Sequence, residues 1–257
     1  MSILRRRTLP WLIGVSLLGG MVVSAPAATA VAGSTNGKGS PNQVVSAALA
    51  AARSETAVDT TYDGRNGATS VSTVTDSGEG DGLQFITLRQ GTQTGSVSII
   101  LIGPVVYLRG NEFGLRENMD FTAAAANEES GHWIRAASTA GVPQVERRFY
   151  QAASGGLTLS SQLAEIDMSS SLSFVPAATM DGEKVVGVQT TLVGNGGRRA
   201  HVVLYLRSGG LPLPVAQVAT MGDGESFKLV FGPWGQVPAP HAPRAALSFN
   251  TAWLATA

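Results

Sequence analysis

The stretch "GSVSIILIGPVVYLRGN", residues 95–111, decides how the chain is read. It begins as Ser/Val alternation, becomes four consecutive apolar residues (Ile99, Ile100, Leu101, Ile102), turns at Gly103-Pro104 and resumes as "VVYLRGN". Strict alternation marks a strand with one wet face, whereas an unbroken apolar run marks a strand covered on both. The reading therefore predicts a hairpin, with helices on one side of it and something still to be named on the other.

Working outward, turn signals punctuate both flanks. Towards the N-terminus they are Asp63-Gly64, residues 78–82 and residues 91–95; towards the C-terminus, Asp181-Gly182, residues 194–197, 208–212 and 222–224. Such Gly/Asp/Asn-rich reversals join neighbouring antiparallel strands. The runs between them, "KVVGVQTTLV", "RAHVVLYLR" and "FKLVFG", carry strand texture. Between residues 111 and 167 that texture stops. "EFGLRENMDFTAAAANEE" places Leu115, Met119, Ala123 and Ala126 on one helical face, "GHWIRAA" reads as a short strand or connector, and "VPQVERRFYQAAS" and "TLSSQLAEIDM" read as helices separated by Gly155-Gly156. An earlier helix is expected over "PNQVVSAALAAARSETA", opened by Pro41 and Asn42.

The predicted order is one helix, four strands, a helical insertion and about five more strands. Segregated runs of this kind imply an α+β protein with an antiparallel sheet. A single sheet of about nine to eleven strands curls under its own twist into a half-barrel, and the helices then belong over its concave face. No internal repeat is visible.

The N-terminus carries a different signal. Arg5, Arg6 and Arg7 precede an uncharged apolar stretch (residues 9–23), and Ala28-Thr29-Ala30 offers a small-x-small cleavage site. This is the order of a secretory signal, and the apolar part is shorter than the roughly 20 residues of a spanning helix. Residues 1–30 are therefore expected to be a cleaved signal, with an uncleaved anchor as the alternative; Arg6-Arg7-Thr8-Leu9 is a partial twin-arginine pattern that leaves the export route open. Residues 31–41 read as a flexible linker, 42–238 as the folded domain and 239–257 as a Pro-rich, loosely packed tail.

Loss of the signal would leave fifteen basic against eighteen acidic residues, with no basic tract to suit nucleic acid. The absence of Cys excludes thiolate metal sites, a Cys nucleophile and disulfides, and a folded region of this size does not need the last. Catalytic constellations are also missing. There is no G-x-S-x-G or H-E-x-x-H, and His132, His201 and His241 are too scattered to suggest a metal. "DSGEGDG" (residues 76–82) is a poor calcium loop and leads into a strand rather than a helix, so it reads as a hairpin turn. Glu128-Glu129 and Arg147-Arg148 read as solvated helix ends. Neither an enzyme nor a cofactor is expected.

Several weak motifs occur in a fixed order: "VVYLRGN", a helix, "WIR", "GVQTTLV", "LYLRSGGLPLPV" and "FGPWGQV". In that order they resemble actinobacterial envelope lipoproteins of the LppX/LprG type, and more distantly the LolA-type lipoprotein carriers, over about residues 42–238. The resemblance implies a half-barrel with helices over its concave face, an apolar cavity for acyl chains between them, and a role in binding or moving envelope lipids or glycolipids. It implies no catalytic residue. Those lipoproteins are acylated on a lipobox Cys; here Leu17-Leu18-Gly19-Gly20 stands in that place, so an exported but unlipidated protein is expected. Its partners would be lipid or glycolipid acyl chains, with the envelope membrane surface or transport proteins as further candidates, and the chain is expected to be a monomer.

Strand residues two apart share a face. The cavity lining is predicted to be Val97, Ile99 and Leu101, then Val106 and Leu108 with Tyr107 outward, and in the later sheet Val186, Val188, Leu192, Val202, Leu204 and Leu206. Leu115, Met119 and Phe121 are lid candidates, with the expectation that Met119 and Phe121 point different ways. The alternative is a non-catalytic envelope protein-binding or structural domain with a solid core.

Overall fold

A computed structural model describes residues 39–255 except 167, 169, 170, 194–196 and 223. The predicted signal, most of the linker and the turn around residues 194–196 lie outside the described residues. The described residues form one curved, open sheet of twelve strands with five α-helices over its concave face.

Helix α1 (Pro41–Arg53) starts at a capping box, Ser40 with Gln43, and Pro41 occupies its first turn. Five strands follow as a meander: β1 (Val58–Asn66), β2 (Thr69–Ser77), β3 (Asp81–Gln90), β4 (Gln93–Ile102) and β5 (Val105–Gly110). The insertion contains α2 (Glu112–Met119), α3 (Ala123–Glu128), the short β6 (Ile134–Ala137), α4 (Gln144–Ser154) and α5 (Leu159–Ala164). A second meander completes the sheet: β7 (Ser173–Met180), β8 (Glu183–Val193), β9 (Arg199–Arg207), β10 (Pro214–Met221) and β11 (Ser226–Trp234). β1 pairs antiparallel with β11 and so welds the two halves together. The tail then contributes β12 (Leu247–Ser248), parallel to β6, giving the order β12-β6-β5-β4-β3-β2-β1-β11-β10-β9-β8-β7.

The strand count exceeds the expected range because two very short strands, β6 and β12, join one edge. The tail is also not loose. Phe249 stacks on Phe149 of α4 with ring centroids 4.5 Å apart, and Trp253 stacks on Phe121 at 6.0 Å. Aromatic residues in a Pro-rich context anchor a strap as readily as they dangle from it.

The expected turn at Asp63-Gly64 lies inside β1, and the chain reverses at Gly67, whose φ is +55°. Gly64 has a different reason to be glycine: any Cβ there would collide with the ring of Tyr62, which folds across the strand. Met119 and Phe121 meet the same apolar cluster, contrary to helical spacing, because α2 ends at Asp120 in the left-handed conformation (φ 55°) and the chain swings back. Glu129 is buried, with His132 Nδ1 3.6 Å from its carboxylate, and so is not a solvated helix end.

The opening strand now has two partners. Val97, Ile99 and Leu101 of β4 face the helices. Ile100, on the opposite face, is also buried. It floors a groove whose other wall is the tail at Pro238, Ala239, Pro240 and His241. At Ile100 the second face is covered by the chain's own C-terminal strap.

Candidate functional site

Under the helices the concave face carries two apolar clusters. The first joins β2–β6 to α2, α3 and α4, and contains the predicted Val97, Ile99, Leu101, Val106, Leu108 and Leu115, with Met119 at its margin. The second joins β1, β8, β9 and β11 to α1 and α5, and contains Val188, Leu204 and Leu206. Val202 is buried beside it, while Val186 and Leu192 are only half-buried. The predicted lining therefore divides between two groups, and among the described residues only Tyr62 packs against both.

Between them the concave face is polar. Thr60 of β1 pairs in register with Thr75 of β2, and Thr75 with Gln84 of β3, whose Nε2 donates to Thr75 Oγ1 at 3.1 Å. Thr73 and Ser77 continue this seam along β2, and Thr60, Thr73, Thr75 and Ser77 are all buried. Ser77 Oγ has no hydrogen-bond partner among the described residues. A buried hydroxyl without a partner costs about 1–3 kcal/mol. Sequence reading missed the seam because Thr in a strand reads as an ordinary β-former; the signal was the i, i+2 set Thr73, Thr75 and Ser77, polar on the face where its neighbours carry Val and Ile.

Tyr62 stands at the end of the seam, stacked on Phe227 with centroids 5.8 Å apart. Burial, helped by the Asp63 carboxylate, pushes its phenol up to about 12. Burial also raises the Glu165 carboxyl just beyond α5. At the opposite end the connection from α4 to α5 is stapled to the sheet: Leu159 N donates to Gly78 O at 2.8 Å, and Gly78 bridges to Thr158.

No protein-family model matches this sequence, and no curated protein matches it. Among solved structures the chain is similar to LprF from Mycobacterium bovis, with 14% identity over 78% of this chain and 96% of that one, at a TM-score of 0.49. It is also similar to the lipoprotein LppX of Mycobacterium tuberculosis, with 11% identity over 78% and 98% of the two chains, at a TM-score of 0.47.

A second concave feature lies on the outer face. The groove under the C-terminal strap is open to solvent and has a volume of about 730 Å³. Leu83 and Phe85 of β3 and Ile100 of β4 supply its apolar floor; Ser98, Arg109 and Trp133 line its other end. Of the three histidines, His132 and His201 are exposed on unrelated elements, and His241 belongs to this strap. Among the described residues no three His, Asp or Glu side chains come together as a metal would require.

Proposed function

We propose that this chain is an exported, non-catalytic carrier of a lipid or another hydrophobic ligand, which it takes up between the concave sheet face and the helices. The observation that carries the reading is the polar seam between two apolar clusters. A single continuous core opens only by exposing all of its apolar surface at about 25 cal/mol per Å². Two clusters meeting along hydroxyls can part there, because Thr60, Thr73 and Thr75 gain water as they open. An acyl chain entering the parted seam finds apolar wall on both sides and needs no polar recognition beyond its headgroup. The charged and apolar N-terminal pattern supports export, and the missing Cys supports an unlipidated carrier that visits the envelope membrane rather than residing on it.

The test places Trp at Ile99 in one variant and at Leu204 in another, and measures uptake of an uncharged fluorescent acyl ester. A carrier loses uptake while the fold survives, and native mass spectrometry of the wild type finds a bound lipid mass. The second reading, a solid-core domain that works through its surface, is favoured by the complete burial of Ile99 and Leu204 (1% and 0% exposed). In that case the wild type takes up no ester, and both variants are simply overpacked, at a cost of about 1–3 kcal/mol.

A further inference from the structure

The groove on the outer face has a polarity of its own, independent of the concave reading. Two rows of side chains cross the strands there. Leu83, Ile100 and Tyr107 are in register on β3, β4 and β5, and beside them Phe85, Ser98 and Arg109 form the second row. Trp133, one residue before β6, extends the second row, since Leu108 pairs with Ile134. Strands lie about 4.8 Å apart, so Phe85 to Trp133 spans about 14 Å. One end is apolar: Phe85 is 49% exposed, and its β2 neighbour Val74 is 41% exposed. At the other end Arg109 stands in register with Ser98, and Ser130 lines the same end of the groove.

No carboxylate lines the groove, and Arg109 has no ion pair among the described residues. The roof suits an apolar guest. Pro238 and Pro240 have no N–H, so of the four strap residues lining the groove only Ala239 and His241 keep a backbone donor. The strap is held at both ends, by Gly235 N to Ala57 O at 2.8 Å and by Leu247 N to Trp133 O at 2.7 Å. Residues 236–246 between these anchors belong to no helix or strand, so the roof can adjust while its ends stay fixed.

We infer that this groove is a second ligand site, which takes a free long-chain carboxylate with its anion on Arg109 and its chain laid across Ile100 and Phe85 beneath the prolines. An unpaired guanidinium beside hydroxyls offers a carboxylate a two-pronged charged hydrogen bond, and the low polarity of floor and roof strengthens it.

The test compares a fluorescent palmitate-length carboxylate with its methyl ester on the purified full chain. Wild type is expected to prefer the acid, and Arg109→Gln to weaken acid binding about ten-fold, the size of one lost charged hydrogen bond, with ester binding unchanged. Phe85→Ser should weaken acid binding as well, because Phe85 supplies the exposed apolar end of the groove. Both side chains are exposed, so melting temperatures should stay at the wild-type value. A brominated carboxylate should quench tryptophan emission in wild type and much less in Trp133→Phe, which locates the guest outside the barrel. The Trp substitutions at Ile99 and Leu204 should leave this quenching intact even if they abolish uptake inside. Equal acid binding by wild type and Arg109→Gln would overturn the proposal, as would bromine quenching that survives loss of Trp133.

Discussion

Asn111 fastens the first helix of the insertion to the backbone of Ser96 in β4. Its Oδ1 accepts from Ser96 N at 3.0 Å and from Gly114 N at 2.8 Å, while its Nδ2 donates to Thr94 O at 2.9 Å. One side chain thus caps α2 and ties it to the strand beneath. Gly114 completes the joint, because a Cβ there would run into the Ser96 backbone. Asn111→Ala removes the cap and orphans the Ser96 amide. The expected loss is about 1–3 kcal/mol in urea unfolding, and Asn111→Asp, which retains the acceptor, should recover part of it.

Gly82 makes a similar demand at the other end of the lid. A methyl group on it would overlap the carbonyl oxygen of Leu157, where the α4–α5 connection crosses the sheet. Gly82→Ala must push that crossing away and disturb the staple at Gly78. A loss of about 1–3 kcal/mol is expected, with hydrogen exchange accelerated in α5 more than in β3. Protection falling equally in both would mean that the connection does not depend on this close approach.

The outer face predicts a pH effect. Asp59 and Asp76 are directly opposed on β1 and β2. Burial, and then the neighbouring Asp76 charge, holds the Asp59 carboxyl above its usual range. A raised folded value means that the native state keeps a proton the unfolded chain releases. Stability from this pair is therefore fully present below the ordinary carboxylate range near pH 4 and is lost as pH rises through the folded value. Asp59→Asn should raise the melting temperature at pH 7, leave it unchanged near pH 3, and flatten the profile between. A melting temperature at pH 7 no higher than wild type would show that the opposed charges cost nothing.

Periodicity carried much of this architecture. In "SVSIILI" and "VVYLR" a period of two leaves only the choice of face, and the apolar set Val97, Ile99, Leu101, Val106 and Leu108 is buried in the cluster that contains the helices. Several features were not legible. Met119 and Phe121 share a cluster because of one left-handed residue, and no side-chain pattern announces a positive φ at Asp. Phe249 and Trp253 looked like tail residues, because their partners Phe149 and Phe121 are 100 and 132 residues away in sequence. The strap over Ile100 escaped notice for the same reason: the apolar run showed that a cover was needed, but its identity lies in long-range packing.

The seam offers the sharpest handle on mechanism. Thr60 and Thr75 meet in register at the boundary of the two clusters. Thr60→Val keeps the shape of the side chain and replaces a hydroxyl by a methyl, so it extends the second cluster, which already contains Val58, towards the first. Burying that hydroxyl no longer opposes folding, and opening the seam now exposes apolar surface instead of wetting a polar group. Stability should be unchanged or higher by up to about 1 kcal/mol, while stopped-flow uptake of the acyl ester slows by about five-fold, the kinetic equivalent of the same energy. Thr75→Val is a less clean variant because it strands the Gln84 amide, so it should lose stability as well. If Thr60→Val takes up ester at the wild-type rate, the clusters do not part along β1 and β2, and entry must lie elsewhere around the helices.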